Sequence, residues 1–517
     1  MKITAEQFQK LDPRDDHWIK GMRRGIEREA LRVTADGQLA QTPHPAALGK
    51  PVTHSAITTD YSESLLEFIT PLCDTPEDAE RFLEDVQRET LKTMGDELLW
   101  ANSMPCWLPE NETDIPLAQY GDSDIGRLKT IYREGLAWRY GRRMQTIAGV
   151  HYNWSLPEAA WQDITGIENG LEARNRGYFL TLRGFRRHYW LLMWLFGASP
   201  ALDRSFFGDT DRSGATRLTS GASSLRMSDL GYHNKAQQTL GICFNALDSY
   251  ADSLSRAVMQ PWDDYEQLGV QDGAHWRQLN SKLLQIENEY YSVVRPKQLQ
   301  QPGERPVKAL RDRGVNWLEV RCMDVDPWAR AGISTSTMRF LDCFLTACAL
   351  AQNPRISEAE CTQLEENQQR IATAGRTHGQ RIWVDGEEVK LADAAESILK
   401  RCRAVAEQLD AHEGGSAHVA AVEEAYEHLS MPKGLPSARA ERKIQKVGYL
   451  EWVLTRSEKL KADLLKRETS PERQAQLHAM RDASIEAEAA LSRAPTAQAF
   501  DAFVRDYVNQ PTGLSEG

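Results

Sequence analysis

The chain is 517 residues long and of globular composition, with 62 Lys and Arg against 74 Asp and Glu and a formal charge of −12. That length suits one large domain or two to three ordinary ones. The negative balance argues against nucleic acid or an anionic membrane surface as the main partner, and small-molecule substrates fit better. The N-terminus, "MKITAEQFQKLDPRDDHW", is charged in its first turns and lacks the apolar run of a signal peptide. Eight cysteines without a C-x-x-C pair are expected as reduced thiols in the cytoplasm.

The first segment to carry chemistry is "GIEREALRV", Gly25 to Val33, which reads as a strand. Alternation puts Glu27 and Glu29 on one face, about 6–7 Å apart, with Arg28 and Arg32 on the other. Two acids so placed either sit in water or are neutralised by a divalent cation, since hard cations prefer oxygen ligands. In "TTDYSESLLEFITP", Asp60 and Glu67 are seven apart, two turns if the segment is helical. Glu67 interrupts the apolar run "LLEFI", so it lies at an exposed edge or is buried with a partner, because burying it alone is expensive.

"LKTIYREGL" contains Tyr132 and Arg133, and "GVHYNWSLP" reads as a strand with Val150, Tyr152 and Trp154 on one face and His151, Asn153 and Ser155 on the other. "YWLLMWLFGASPAL" reads as a buried helix ending at Gly197, too short and broken to span a bilayer. "SSLRMSDLGYHNK" supplies Arg226, Asp229 and Tyr232, and "QIENEYYSVVRPK" supplies Tyr290, Tyr291, Arg295 and Lys297; tyrosines in such runs pack more often than they touch substrate. In "GVNWLEVRCMDVDP", Leu318 and Val320 share one strand face, Glu319 and Arg321 the other. That pair is either a surface ion pair of little worth or a metal ligand beside a cation aimed at a phosphoryl group.

The last third is charged and helical in its spacing, as in "LADAAESILKRCRAVAEQLDAH" and "SARAERKIQKVGYLEWVLTRSEKLKADLLKRE", with turns at "HEGGSAHVAA" and "MPKGLPSA". The expectation is one compact α+β unit, its sheet-containing core over 1–340 and a mainly helical portion over 341–517. The sequence has no G-x-x-x-x-G-K-[ST], no G-x-G-x-x-G after a strand, no H-E-x-x-H and no G-x-S-x-G. A nucleotide would then be held through acids and Mg²⁺. Spacing alone points to an acid-rich, Mg²⁺-binding face on an antiparallel sheet, with one arginine, suited to phosphoryl transfer from a nucleotide.

The blocks "RGIEREALRV", "TTDYSESLLEFITP", "NSMPCWLP", "LAQYGDSDIGRLKTIYREGL", "YGRRMQTIAGVHYNWSLP", "FGASPAL", "SSLRMSDLGYHNKAQ", "LQIENEYYSVVRPK" and "LEVRCMDVDP", in this order over most of the first 340 residues, resemble the glutamate–cysteine ligases of the gammaproteobacterial type. The resemblance implies a glutamine-synthetase-like catalytic fold, a curved and mainly antiparallel sheet of about six strands forming a funnel wrapped by helices. It implies ATP-dependent chemistry, in which the γ-carboxylate of L-glutamate attacks the γ-phosphate of ATP and the amine of L-cysteine then displaces phosphate from γ-glutamyl phosphate, the first step of glutathione biosynthesis. Carried over by position, the Mg²⁺ ligands are Glu27, Glu29, Asp60, Glu67, His151 and Glu319, holding several ions for which Mn²⁺ can substitute. Arg321 stabilises charge on the transferring phosphoryl group, Tyr132, Tyr232 and Tyr291 line the cysteine pocket, and Arg226 takes a substrate carboxylate. No nucleic-acid or membrane partner is expected, and the chain is expected to be a monomer. Two other readings stay open: a related carboxylate–amine ligase with a different acceptor, and a non-catalytic nucleotide or metal sensor on the same fold.

Overall fold

The computed structural model describes residues 20–209, 216–231, 235–493 and 500–510. Seven strands build the main sheet: β1 (Arg23–Val33), β2 (Ile57–Thr59), β3 (Leu65–Ile69), β4 (Leu98–Leu99), β5 (Val150–Ser155), β6 (Val294–Lys297) and β7 (Trp317–Met323). Their order is β6-β7-β5-β1-β3-β2, with the two-residue β4 added to β1, and every pairing is antiparallel. The path has two free ends, so the sheet is open. The six-stranded expectation holds apart from the short β4.

Register decides which side chains share a face. Glu27 lies opposite His151, Glu29 opposite Glu67, and Glu319 opposite both Asn153 and Arg295. Because strand side chains alternate, this one register collects the acids, the histidine and the basic groups of β6 and β7 on one side. The other side carries Ile26, Ala30, Leu66, Phe68, Val150, Tyr152, Trp154, Leu318 and Val320, all buried. Each large apolar side chain so withdrawn from water contributes about 1.5–3 kcal/mol. From Val320 to Met323, β7 spends three steps while its partner moves two, from Tyr152 to Val150. The resulting bulge falls at Arg321 and Cys322.

Asp60 and Glu67 are not two turns of a helix. The segment is a hairpin, with Asp60 just beyond β2 and Glu67 in the middle of β3; its Ile, Thr, Leu and Phe content suits a pleated, half-buried surface. Arg28 and Arg32 do not face water either. Both are buried behind the sheet, where Arg32 donates to Glu97 at 2.8 Å and to the Glu63 carbonyl at 3.2 Å.

Helices α1 (Pro76–Thr93), α3 (Gly170–His188), α4 (Trp190–Phe196) and α5 (Thr335–Leu350) cover the apolar face, whereas α2 (Asp124–Tyr140) brings Tyr132 and Arg133 to the polar one. α4 is the expected buried helix, ending at Gly197. α5, buried along most of its length, packs between α1 and α3. After α5 the chain continues with α6 (Glu358–Ala374), α7 (Leu391–Glu413), α8 (Ala417–Ser430), α9 (Pro436–Val447), α10 (Tyr449–Leu465), α11 (Pro471–Arg493) and α12 (Phe500–Val508); shorter helices lie between the strands before it. Two features interrupt this helical portion. A hairpin, Arg381–Val384 with Glu387–Lys390, turns at Asp385-Gly386, both at positive φ (52° and 84°), the pair a tight hairpin turn demands. Gly448, at φ 84°, separates α9 from α10 within an otherwise continuous helical pattern. No helix among the described residues is long and apolar enough to cross a membrane.

Candidate active site

A cleft of about 220 Å³ lies over the polar face of the sheet, lined by Glu27, Glu29, Asp60, Glu67, Tyr132, His151, Tyr291, Glu319 and Arg321 among others. A second cavity of about 160 Å³ shares Tyr291 and Arg321 with it and is lined further by Arg226, Gln237 and Tyr290. Ten of the eleven residues singled out in the sequence are therefore at one or other of two adjoining hollows. Tyr232 lies outside the described residues.

β1 supplies two acids to the centre. Glu27 accepts from Asn153 Nδ2 at 2.9 Å and faces His151 Nδ1 at 3.0 Å. A carboxylate cannot donate, so His151 presents Nδ1–H to Glu27, leaving Nε2 as the ring atom that faces the cleft. That Nε2 is buried without a hydrogen-bond partner, and Glu29 Oε1, at 3.7 Å, is beyond hydrogen-bond range. Glu29 instead accepts from the Gly149 amide at 2.6 Å. No hydrogen-bond donor among the described residues reaches the carboxylates of Asp60 or Glu67. The Asp60 backbone, by contrast, is pinned: its carbonyl takes Arg133 Nε and the Tyr120 hydroxyl.

Electrostatics divides the acids into two groups. Burial, then the charges of Glu27, Asp60, Glu29 and Glu319, push Glu67 well above the usual carboxylate range. Burial also raises Glu29. Burial works the same way on Glu319, but Lys297 Nζ and Arg321 Nη1, each 3.0 Å from one of its oxygens, hold it well below that range. For Glu27, too, burial and Glu319 are outweighed, here by His151 and Lys297, and it is held low.

The donor set fits a hard divalent cation. Glu29 and Glu67 face each other across β1 and β3, like charges that are destabilising unless a cation intervenes. One potential ligand atom each from Glu27, Glu67 and His151 lies within 4.8 Å of the others. A histidine tied to a carboxylate through one nitrogen and open at the other is a familiar preparation for metal binding.

Arg226 reaches the site by an unusual route. Its guanidinium, 1% exposed, donates from Nη2 to the Arg321 carbonyl at 2.8 Å and lies flat against Gly149, where a Cβ would overlap it. Tyr291 accepts at its hydroxyl from Gln145 Nε2 at 2.6 Å and donates its amide to Gln237 Oε1 at 2.9 Å.

A family model described as glutamate-cysteine ligase matches residues 8–371, well over half of the chain. The chain belongs to the glutamate–cysteine ligase family. Glutamate–cysteine ligase of Pseudomonas entomophila is 48% identical over 430 residues, 81% of each chain. That of Azotobacter vinelandii is 44% identical over 514 residues, 96% of each. A crystal structure of glutamate–cysteine ligase from Francisella tularensis in complex with AMP is 34% identical, with a TM-score of 0.89, covering 94% of this chain and 97% of that one. The bifunctional glutathione synthetase of Pasteurella multocida, 24% identical with a TM-score of 0.70, shares the fold over 90% of this chain and 55% of its own.

Within this glutamate–cysteine ligase framework the structure adds residues that spacing did not mark for the site. Gln145 and Gln237 flank Tyr291, and Gly149 makes room for Arg226. Arg295 and Lys297 were already named in the sequence, and the structure makes them alternate residues of β6.

Proposed function

We propose that the protein joins the γ-carboxylate of L-glutamate to the amine of L-cysteine at the expense of ATP, through γ-glutamyl phosphate, the first step of glutathione biosynthesis. The observation that carries this reading is the register that gathers five carboxylates and His151 on one sheet face with Lys297 and Arg321 at their edge. A triphosphate adds about four negative charges to such a cleft, which only divalent cations can offset. Glu27, Glu29, Asp60, Glu67, His151 and Glu319 would hold Mg²⁺, with Mn²⁺ as a substitute. Bound there, the ions neutralise the phosphates and polarise the phosphoryl group under attack.

The chain's own side chains do the rest. Arg321 is held by Glu319 at the boundary of the two hollows, where a planar guanidinium suits charge growing on a transferring phosphoryl group. Arg226 takes the α-carboxylate of glutamate. Tyr132 and Tyr291 line the hollow for cysteine, together with Tyr232, and exclude water from the acyl phosphate. Phosphorylation turns a poor acyl donor into one with phosphate as its leaving group, so the amine can then form the amide.

The test is phosphate release from ATP with Mg²⁺ and glutamate, with no acceptor, cysteine, 2-aminobutyrate or ammonium, and the product identified by mass. Release coupled to γ-glutamylcysteine, with 2-aminobutyrate a weaker acceptor, is the expected outcome. Release with ammonium alone, or none at all, would overturn the reading.

A further inference from the structure

α12 has a small core to itself. Phe500 and Val504 are buried there with Leu128 of α2 and with Leu279 and Ile286; Ile131, Tyr132 and Trp276 pack around them. The Phe500 ring meets Trp276 edge-on at 5.9 Å and carries the Arg127 guanidinium over its face at 3.7 Å. Tyr132 packs against both this satellite core and the main one, and it also lines the cleft.

α2 depends on that cover. Its only buried large apolar residues are Leu128 and Leu136, and Leu128 belongs to the satellite core. Without α12, Leu128, the one fully buried apolar anchor in the half of α2 leading to Tyr132 and Arg133, loses Phe500 and Val504 and keeps only Leu279 and Ile286 of this buried cluster.

The end of α12 is tied to the opposite wall by Arg305. This side chain, 2% exposed, donates from Nη1 to the Val508 carbonyl at 2.9 Å, and its backbone amide donates to Gln510 Oε1 at 3.2 Å. The same guanidinium holds Glu287, Nε to Oε2 at 3.1 Å and Nη2 to Oε1 at 3.0 Å. Glu287, Asn288 and Glu289 form one tight turn. Asn288 lines the cleft, and its carbonyl accepts from Arg295 at 2.8 Å. Glu289 accepts from Arg139 at 2.8 Å and from Tyr140 at 2.6 Å, both at the end of α2. Two residues on is Tyr291.

We infer that α12 is a positioning element for the acceptor side of the cleft, acting on Tyr132 through the satellite core and on Asn288 and Tyr291 through Arg305 and Glu287. The inference rests on the proposed function in taking Tyr132 and Tyr291 as the cysteine wall. None of the proposed metal ligands on β1, β3, β5 and β7, nor Arg321, is among the residues packed with α12, so its loss separates acceptor recognition from the rest.

Three proteins test this against the full chain: one ending at residue 493, and the full-length variants Arg305→Gln and Val504→Ala, which keep the question open to an answer if the shortened chain does not fold. Expected in each folded variant is a KM for cysteine raised about 10-fold, or about 3-fold for Val504→Ala, with the KM for ATP and the Mg²⁺ dependence within about 2-fold. Amide hydrogen exchange in residues 124–132 and 285–291 should quicken about 10-fold, with β1 and β5 unchanged. Unchanged exchange in those two segments would overturn the inference, as would a uniform loss in all kinetic parameters. If the full chain makes no γ-glutamylcysteine, the proposed function falls, and the exchange measurement still decides whether α12 holds these segments.

Discussion

At the scale of single residues, Arg321 and Gly149 carry the sharpest consequences. Arg321 meets Glu319 at 3.0 Å and lines both hollows, whereas the proposed metal ligands are other side chains. Arg321→Ala should therefore leave Mg-ATP binding largely intact while lowering kcat by about 10²-fold or more, the signature of a contact made in the transition state; calorimetric binding beside steady-state rates checks it, and equal losses in both would remove the role. Gly149 acts by lacking a side chain. A methyl group there would push the Arg226 guanidinium off its seat and disturb the amide that bonds Glu29. Gly149→Ala should raise the KM for glutamate about 10-fold, with a smaller change for cysteine; a change confined to cysteine would count against Arg226 as the carboxylate partner.

At the scale of elements, the strands were far more legible than the links between them. "GVHYNWSLP" and "GVNWLEVR" alternate so regularly that their polar faces could be named from the sequence, and pairing then brought Glu319 opposite Asn153. The hairpin of β2 and β3 was less plain, because an acid inside "LLEFI" breaks the alternation that would mark a strand. Gly149 and Gln237 left no trace, since their effect depends on side chains distant in sequence. The same holds behind the sheet. Asp342 of α5, fully buried, accepts from Arg24 Nε at 3.1 Å and from the Tyr152 hydroxyl at 2.6 Å, tying the helix to β1 and β5. Removing one partner of a buried ion pair strands the other. Asp342→Ala should thus cost about 3–5 kcal/mol in urea unfolding, and a loss below about 1 kcal/mol would mean that water replaces the carboxylate.

At the scale of the whole molecule, the acid-rich cleft links stability to pH and to metal. Glu67, raised by burial and by the neighbouring acids, favours its protonated form in the folded chain. Its contribution is present below the ordinary carboxylate range and is lost as the pH rises through the raised value. Glu319 runs the other way: held low by Lys297 and Arg321 against its burial, it contributes above the ordinary range and fails only as the pH falls through its lowered value. A divalent cation held by Glu67 as proposed would need it deprotonated and so would release a proton. The rise in Tm produced by Mg²⁺ should accordingly grow as the pH climbs from the ordinary carboxylate range through the raised value of Glu67; a rise independent of pH would take Glu67 out of the ligand set. The bulge in β7 has a consequence of another kind. Elsewhere in the sheet, inserting or deleting a single residue would exchange the two faces of a strand, burying its acids and exposing its core, so such changes are barred by folding itself. At Arg321 and Cys322 the spacing is already odd. A one-residue deletion there would make the ladder regular and leave both faces of the strand in place, so over evolutionary time this is the point in the sheet where the chain could change length beside Arg321 without the loss of the fold.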